Sequence, residues 1–377
     1  MVKATERPTK SRKAAARGNG AKGRSDGAKA RSDGAKTGGA AQSNAAIAGV
    51  ASHIGLENER LAELYRVMLT SRLVQDRMFV LQRQGRAAFA ITGQGHEAAQ
   101  VGTAAALKPG FDWVIPYYRD VGVCLTLGMT AREIMLDFLA RAEGPCSGGR
   151  QMPTHWSKRE LNIVSGSSPV GTQILHAPGI AWASKIRGEK AVTAVFFGEG
   201  ATSTGEFHEG LNFAAIHKLP VIFVCENNGY AISESSEKQM SVKHVADRAK
   251  GYDIEGIMVD GNDLIAVYQT MAWLVEECRN GRGPKLLEAK TYRIVPHSSD
   301  DDDRRYRSRE ELADWMTRDP IDRTKKYLID HGALTEEQDA EVREQVDVEV
   351  KEAVAYALGA PMPEPETALL HVYAEGV

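Results

Sequence analysis

Two short polar clusters hold the residues in this chain best suited to chemistry. Glu199 stands between Gly198 and Gly200, directly after an apolar run at 191–197. Asn227-Asn228-Gly229-Tyr230 follows a second apolar run, 221–225, which begins after Pro220. A carboxylate, a side-chain amide and nearby carbonyls make an oxygen-only donor set. Such a set suits a hard cation such as Mg2+, which typically keeps phosphate oxygens of a substrate in its shell. Glycines beside Glu199 let the backbone pass close to a ligand. The plainer reading makes Glu199 an acid at a helix N-terminus and 227–229 a simple turn. The two clusters taken singly leave both readings open.

The elements around them decide whether they can meet. Residues 191–233 read as strand, helix, strand, with the helix ending near Lys218. Two buried parallel strands joined this way end at the same sheet edge, where ligands of open α/β sheets gather. Glu199 and Asn228 are therefore expected side by side. Upstream, Leu61, Leu64, Tyr65, Met68, Leu69, Leu73, Met78 and Phe79 predict a long helix over 57–84. Helices are expected at 97–107 and 121–128, a short strand at 112–115, and a Thr130-capped helix to residue 140. The Gly/Ser/Pro-rich loop 144–168 includes Met152-Pro153-Thr154-His155, and so long a loop is more often functional than idle.

Downstream, 172–186 reads as a buried Ala-rich helix and 242–250 as a helix. Strands at 254–259 and 285–292 flank a helix at 264–279. A charged loop, 296–308, leads to a Ser308-capped helix with Glu310 and Glu311 in its first turn, and helices continue to about 358. The whole predicts an α/β fold: a mostly parallel sheet, helices on both faces, and helical segments at either end.

Charge is unevenly spread. Residues 1–44 carry eleven Lys/Arg against Glu6, Asp26 and Asp33, which leaves −11 for the rest of a chain whose total is −3. That segment has almost no large apolar side chain and is expected to be a disordered, solvated tail. The acidic remainder is unlike a nucleic-acid-binding domain. Cys124, Cys146, Cys225 and Cys278 form no CxxC pair, which argues against a disulfide scaffold or zinc site and for a reducing compartment. No apolar stretch is long enough for a membrane span.

FGEGA at 197–201 and ENNGYAIS at 226–233 have the spacing of a thiamine diphosphate motif. Further matches are YYRD at 117–120, GGRQMPTH at 148–155, SSPVGTQ at 167–173, VDGND at 259–263 and YRIVPHSSDDDDRRYRS at 292–308. From about Leu56 onward the chain resembles the alpha subunits of thiamine-dependent 2-oxoacid dehydrogenases, nearest the branched-chain (2-oxoisovalerate) type. The resemblance implies a thiamine diphosphate-binding domain over 45–377. It implies oxidative decarboxylation of 2-oxoacids such as 3-methyl-2-oxobutanoate, with the acyl group passed to a lipoyl group. Implied cofactors are thiamine diphosphate, Mg2+ and K+. Implied partners are a beta subunit in an α2β2 heterotetramer, which supplies the glutamate that activates the aminopyrimidine, and the lipoyl domain of an acyltransferase core. The implied location is the bacterial cytoplasm, with the mitochondrial matrix as the alternative.

By matching motif, Glu199, Asn228 and the Tyr230 carbonyl correspond to metal ligands. Tyr118, Arg119, Gly200, Ala201 and Glu226 fall at diphosphate-side positions, and Ser168 and Val170 at the aminopyrimidine and substrate side. His297 and Ser168 occupy catalytic positions; Ser167, Thr172 and Gln173 match a monovalent-cation site. Ser298 aligns with a regulatory phosphoserine of mitochondrial members. Three positions depart from the mammalian pattern: Glu226 replaces an arginine, Thr204 a glutamate and Val170 a leucine. His155 reads as bonding within its own loop. The Asp/Arg run reads as solvated charge, which in the family orders with cofactor and helps receive the lipoyl domain. A pyruvate or acetoin dehydrogenase alpha subunit, and a non-catalytic α/β scaffold with a nucleic-acid-binding tail, are the alternative functions.

Overall fold

The computed structural model describes residues 55–370 and 373 of the 377-residue chain. The basic segment 1–44 and its boundary with the following domain lie outside the described residues. In chain order the strands are β1 (Trp113–Ile115), β2 (Thr193–Gly198), β3 (Val221–Asn227), the two-residue hairpin strands β4 (Tyr230–Ala231) and β5 (Glu234–Ser235), β6 (Glu255–Asp260) and β7 (Lys285–Lys290). Five of them form one sheet in the order β1-β2-β3-β7-β6, every pair parallel.

The strands read as continuous apolar runs because both faces are covered. Ala194 and Phe196 of β2 join Ile222 and Val224 of β3 in the core on one side. Val195 and Phe197 join Phe223 and Cys225 on the other. Two-sided burial of this kind is what a parallel sheet requires.

The helices are α1 (Asn58–Arg83), α2 (Glu97–Ala105), α3 (Val121–Thr126), α4 (Ala131–Phe138), α5 (Gln173–Ile186), α6 (Gly205–Ile216), the short α7 (Ser236–Gln239), α8 (Leu264–Arg279), α9 (Arg309–Met316), α10 (Pro320–Asp330) and α11 (Glu336–Gly359). Cores of α1–α4, α8, α10 and α11 cover one sheet face, and α5 and α6 the other. Thr130 and Glu133 form a reciprocal capping box at the start of α4, worth about 1 kcal/mol. The Tyr65 hydroxyl donates to Asp339 at 2.7 Å, tying α1 to α11.

Two expectations need correction. The segment predicted as a helix over 242–250 is a set of 3-10 turns, Val245–Tyr252. Here the backbone N–H of Ala246 donates to the buried Glu288 carboxylate, and the Ala246 carbonyl lies 2.1 Å from where a Cβ on Gly256 would stand. The turn is thus pressed against β6 and bonded outward. Secondly, α5 is buried on one face only: Ile174, Ala177 and Ala181 face the core, while Leu175, Trp182 and Ile186 are exposed. Apolar composition gave the helix correctly but not how much of it is covered.

Candidate active site

A cavity of about 270 Å3 opens at the carboxyl ends of β2 and β3. Gly198, the last residue of β2, pairs with Glu226 of β3, so Glu199 leaves the sheet beside Asn228. Glu199 is buried, and its Oε2 accepts the Asn228 N–H at 3.1 Å. Its Oε1 is buried with no hydrogen-bond partner. Burial raises the Glu199 pKa, opposed by backbone N–H donors that include Asn228. Gly200 allows the β4–β5 hairpin to close on this turn, because a Cβ there would stand 2.9 Å from that of Ala231. Two side-chain-to-backbone bonds shape the second cluster: Asn227 Oδ1 accepts from Gly229 N at 3.1 Å and Asn228 Oδ1 from Tyr230 N at 3.2 Å. Gly229 sits at φ 88°, where glycine meets no Cβ penalty.

Two buried arginines line the same cavity. Arg119 lies on the loop before α3, where Tyr117 N donates to Asp120 Oδ2 at 2.8 Å. It donates to the Thr92 carbonyl, and through one Nη to both His297 Nδ1 at 2.9 Å and the His297 carbonyl at 3.1 Å. Arg293 donates to the carbonyls of Ile232 at 2.7 Å and Tyr230 at 3.3 Å, and contacts the Tyr306 hydroxyl at 3.0 Å. Burial, then the charges of Arg119 and Arg293, push the His297 pKa down to about 3, against a smaller pull from Asp301. The cavity therefore pairs an open carboxylate oxygen with buried guanidiniums, an arrangement that suits an anion carrying a divalent cation.

Of the residues singled out from sequence, Tyr118, Arg119, Ser167, Val170, Gln173, Glu199, Gly200, Ala201, Asn228, Tyr230 and His297 line this cavity, as does Thr204. Ser168 and Thr172 are not among the lining residues. Ser168 Oγ bonds instead to His155 Nε2, and His155 Nδ1 lies 3.0 Å from the Met152 carbonyl, within its own loop as read. Gln173 Oε1 is buried and unpartnered.

Glu226 does not reach the cavity. Its Oε2 is met by His96 Nδ1 at 2.8 Å, Tyr117 Oη at 3.0 Å and Gln100 Nε2 at 3.1 Å. Beside it, burial and the Glu226 charge hold the Asp120 pKa well above the carboxylate range. The diphosphate-side role read for Glu226 is thus corrected to a buried floor beneath the Arg119 loop. The charged run after β7 is corrected in part: Asp300, Arg304 and Arg305 are exposed, as read, but other members are buried. Asp303 and Arg307 form a buried pair at 2.6 Å, Asp301 Oδ2 accepts the His297 N–H at 2.7 Å, and Ser298 is only 8% exposed. Arg293 was not assigned a role from sequence. Its position just after β7, on the edge that carries Glu199 and Asn228, was the available signal.

An acid and an amide on neighbouring strand ends lie opposite buried arginines at the carboxyl edge of a parallel α/β sheet. Residues 65–366 match the dehydrogenase E1 component family, and the chain belongs to that thiamine diphosphate-dependent family. It is 47% identical over 322 residues to the 2-oxoisovalerate dehydrogenase subunit alpha of Bacillus subtilis, covering 85% of this chain and 98% of that one. It is 40% identical to the 3-methyl-2-oxobutanoate dehydrogenase subunit alpha of Mycobacterium tuberculosis, covering 86% and 85%. The mitochondrial 2-oxoisovalerate dehydrogenase subunit alpha of Homo sapiens is also 40% identical, with 85% and 72% covered. Among the described residues, no helix is long and apolar enough to cross a membrane, and no cluster of three or more His, Cys, Asp or Glu is placed to hold a metal.

Proposed function

We propose that the chain is the alpha subunit of a branched-chain 2-oxoacid dehydrogenase, decarboxylating acids such as 3-methyl-2-oxobutanoate and delivering the acyl group to a lipoyl arm. The observation that carries this is the unpartnered Oε1 of buried Glu199, beside Asn228 and across the cavity from Arg119 and Arg293. A buried carboxylate oxygen without a donor is costly unless something takes the donor's place. Of the two such oxygens among the described residues, on Glu199 and Glu226, that of Glu199 belongs to a cavity-lining residue that a cation can reach. Likeness to relatives named for this activity supports the substrate class.

Glu199, the Asn228 side-chain oxygen and the Tyr230 carbonyl would hold Mg2+. Thiamine diphosphate, when bound, supplies the electron sink for loss of carbon dioxide. Arg119 and Arg293 would hold its diphosphate, with Tyr118 and the 200–201 backbone alongside. Val170 and Ile232 line the cavity with apolar side chains and would help keep water from the reacting end. Gln173 Oε1 and Ser167 suit K+, and the buried unpartnered Gln173 oxygen supports that placement. Ser168, tied to His155, would reach the substrate side only from outside the cavity lining. Glu199 is the one carboxylate among the described lining residues, and it is committed to the metal. As the family likeness implies, the acid that activates the cofactor ring would come from a beta subunit in an α2β2 assembly, and the acyl acceptor from an acyltransferase core. The reading includes a cytoplasmic location, which the four free thiols support.

The test is reconstitution with the beta subunit. Thiamine diphosphate should bind only with Mg2+, and 3-methyl-2-oxobutanoate should be turned over in preference to pyruvate. Metal-independent binding would overturn the site, and a pyruvate preference the substrate.

A further inference from the structure

We propose that Arg119 is a positioning residue that locks His297 as the neutral Nε2–H tautomer, so that the ring meets the cavity as a hydrogen-bond donor and not as a proton acceptor. The inference deepens the proposed function, and rests on that reading only for what the ring faces.

A guanidinium has five N–H donors, no acceptor, and does not deprotonate in proteins. The contact between Arg119 Nη2 and His297 Nδ1, at 2.9 Å, can therefore run in one direction only: arginine donates and Nδ1 supplies its lone pair. A neutral imidazole with a lone pair on Nδ1 must carry its proton on Nε2. Protonating the ring would turn Nδ1 into a second N–H aimed at an N–H, which costs both the bond and a like-charge repulsion.

The surroundings hold this state in place. The same Nη2 also donates to the His297 carbonyl, so Arg119 grips the residue at two points. Its own loop is fixed from behind, where Gln100 Nε2 donates to the Arg119 carbonyl at 3.0 Å. The charges facing the ring are Arg119 and Arg293, both positive, and Asp301. Asp301 does not offer its oxygen to the ring: Oδ2 accepts the His297 backbone N–H and the Tyr306 hydroxyl. No acid is placed to draw a proton onto Nδ1.

The lock is compatible with anion binding. Three of the five Arg119 N–H groups go to Thr92 O, His297 Nδ1 and His297 O, which leaves two for an oxyanion. Arg119 can thus hold a phosphate oxygen without releasing the imidazole. His297 then stabilises negative charge on an oxygen in the cavity, and a general-base role for it is excluded while the contact stands.

The test reads the ring nitrogens directly. In the full-length chain labelled with 15N-histidine, the His297 signals are assigned as those missing from His297→Gln. The expected wild-type pattern is one protonated nitrogen, Nε2, and one lone-pair nitrogen, Nδ1, unchanged from about pH 5 to about pH 8, across the range where an ordinary histidine titrates. In Arg119→Met the pattern should shift to a mixture of both tautomers. A wild-type ring protonated on Nδ1, or titrating in that range, overturns the proposal, as does an unchanged tautomer in Arg119→Met. Should Arg119→Met not fold, the wild-type spectra decide alone.

A second readout uses the reconstituted enzyme. Glutamine can accept from Arg119 through its oxygen and donate through its amide, whereas leucine can do neither. His297→Gln should keep at least about tenfold more kcat than His297→Leu, with an unaltered pH profile. Equal losses in the two variants count against the donor role. Failure of thiamine diphosphate to bind would sink the proposed function and leave the tautomer result standing.

Discussion

Two buried glutamates leave the same edge of the sheet on neighbouring strands and do different work. Glu199 has one donor, Asn228 N–H, and an oxygen with no partner at the cavity. Glu226 has three donors on one oxygen, from His96, Gln100 and Tyr117, and the raised-pKa carboxyl of Asp120 beside it. Each keeps an Oε1 without a hydrogen-bond partner, but Glu199 lines the cavity, where a ligand can enter, whereas Glu226 lines no part of it and is enclosed beside Asp120. Depth does not separate them, since both are essentially inaccessible. What separates them is place: Glu199 lies in the turn beyond β2 and lines the cavity, while Glu226 sits within β3 on the face that meets His96 and Gln100.

The sharpest way to break this comparison is Glu226→Ala. It leaves the buried His96 Nδ1 and Tyr117 hydroxyl unpaired and should cost roughly 3–5 kcal/mol. Denaturant unfolding checks it, and an unchanged midpoint would erase the distinction. Glu199→Gln should do the opposite. Mg2+-dependent thiamine diphosphate affinity should fall by at least about 100-fold, the upper end found for outer-shell metal partners, while the melting temperature of the ligand-free chain does not fall. Calorimetric titration and thermal melts together test both halves.

The pH dependence sharpens it further. Burial raises the Glu199 pKa above its unfolded value, so in the absence of metal its contribution is fully present below the unfolded pKa and lost as pH rises through the folded one. Metal affinity runs the other way. The proton competes with Mg2+, and below the raised pKa affinity should drop by up to about tenfold per pH unit. Titrations at several pH values in wild type and Glu199→Gln would show the slope in the first and not the second. The smallest expected effect is Gln173→Leu. Its Oε1 has no partner and its Nε2 makes only a long 3.4 Å bond to the Phe196 carbonyl, so the change should alter stability by less than about 1 kcal/mol, yet abolish any stabilisation by K+ over Na+ in melts.

The strand–helix–strand unit and the Glu199–Asn228 meeting were legible because they depend on local signals: two apolar runs, a glycine pair and an Asn-Gly turn. The inward turn of Glu226 was also written there and went unread. Period two along β3 puts Glu226 with Ile222 and Val224, opposite Phe223 and Cys225, and so towards α2, which carries His96 at its start and Gln100. The loop after β7 was different. Its composition, four aspartates among arginines, is that of solvated charge. Its burial depends on Asp303 and Arg307 closing on each other, and on Arg307 lying 5.2 Å from the Tyr292 ring. No spacing rule encodes a loop whose partners are set by its own closure. The exposed face of α5 was unreadable for a related reason, since period and composition report what a helix could bury and not what lies beside it.

The order of strands carries a consequence for how the molecule is made. β3 sits between β2 and β7, with Ile222 against Lys285, so the neighbour that completes the centre of the sheet is synthesised about 60 residues later. Arg293 and His297 come after that strand. On the ribosome the Glu199–Asn228 corner therefore exists as sequence well before the guanidinium and imidazole opposite it. Pairings between distant parallel strands close slowly, and an unpaired edge left waiting is where nascent chains associate wrongly. A ligand of the finished cavity lacks Arg293 and His297 until the segment beyond β7 arrives. Added cofactor can protect the completed subunit from unfolding, but a chain that stalls before Lys285 offers it an unfinished site.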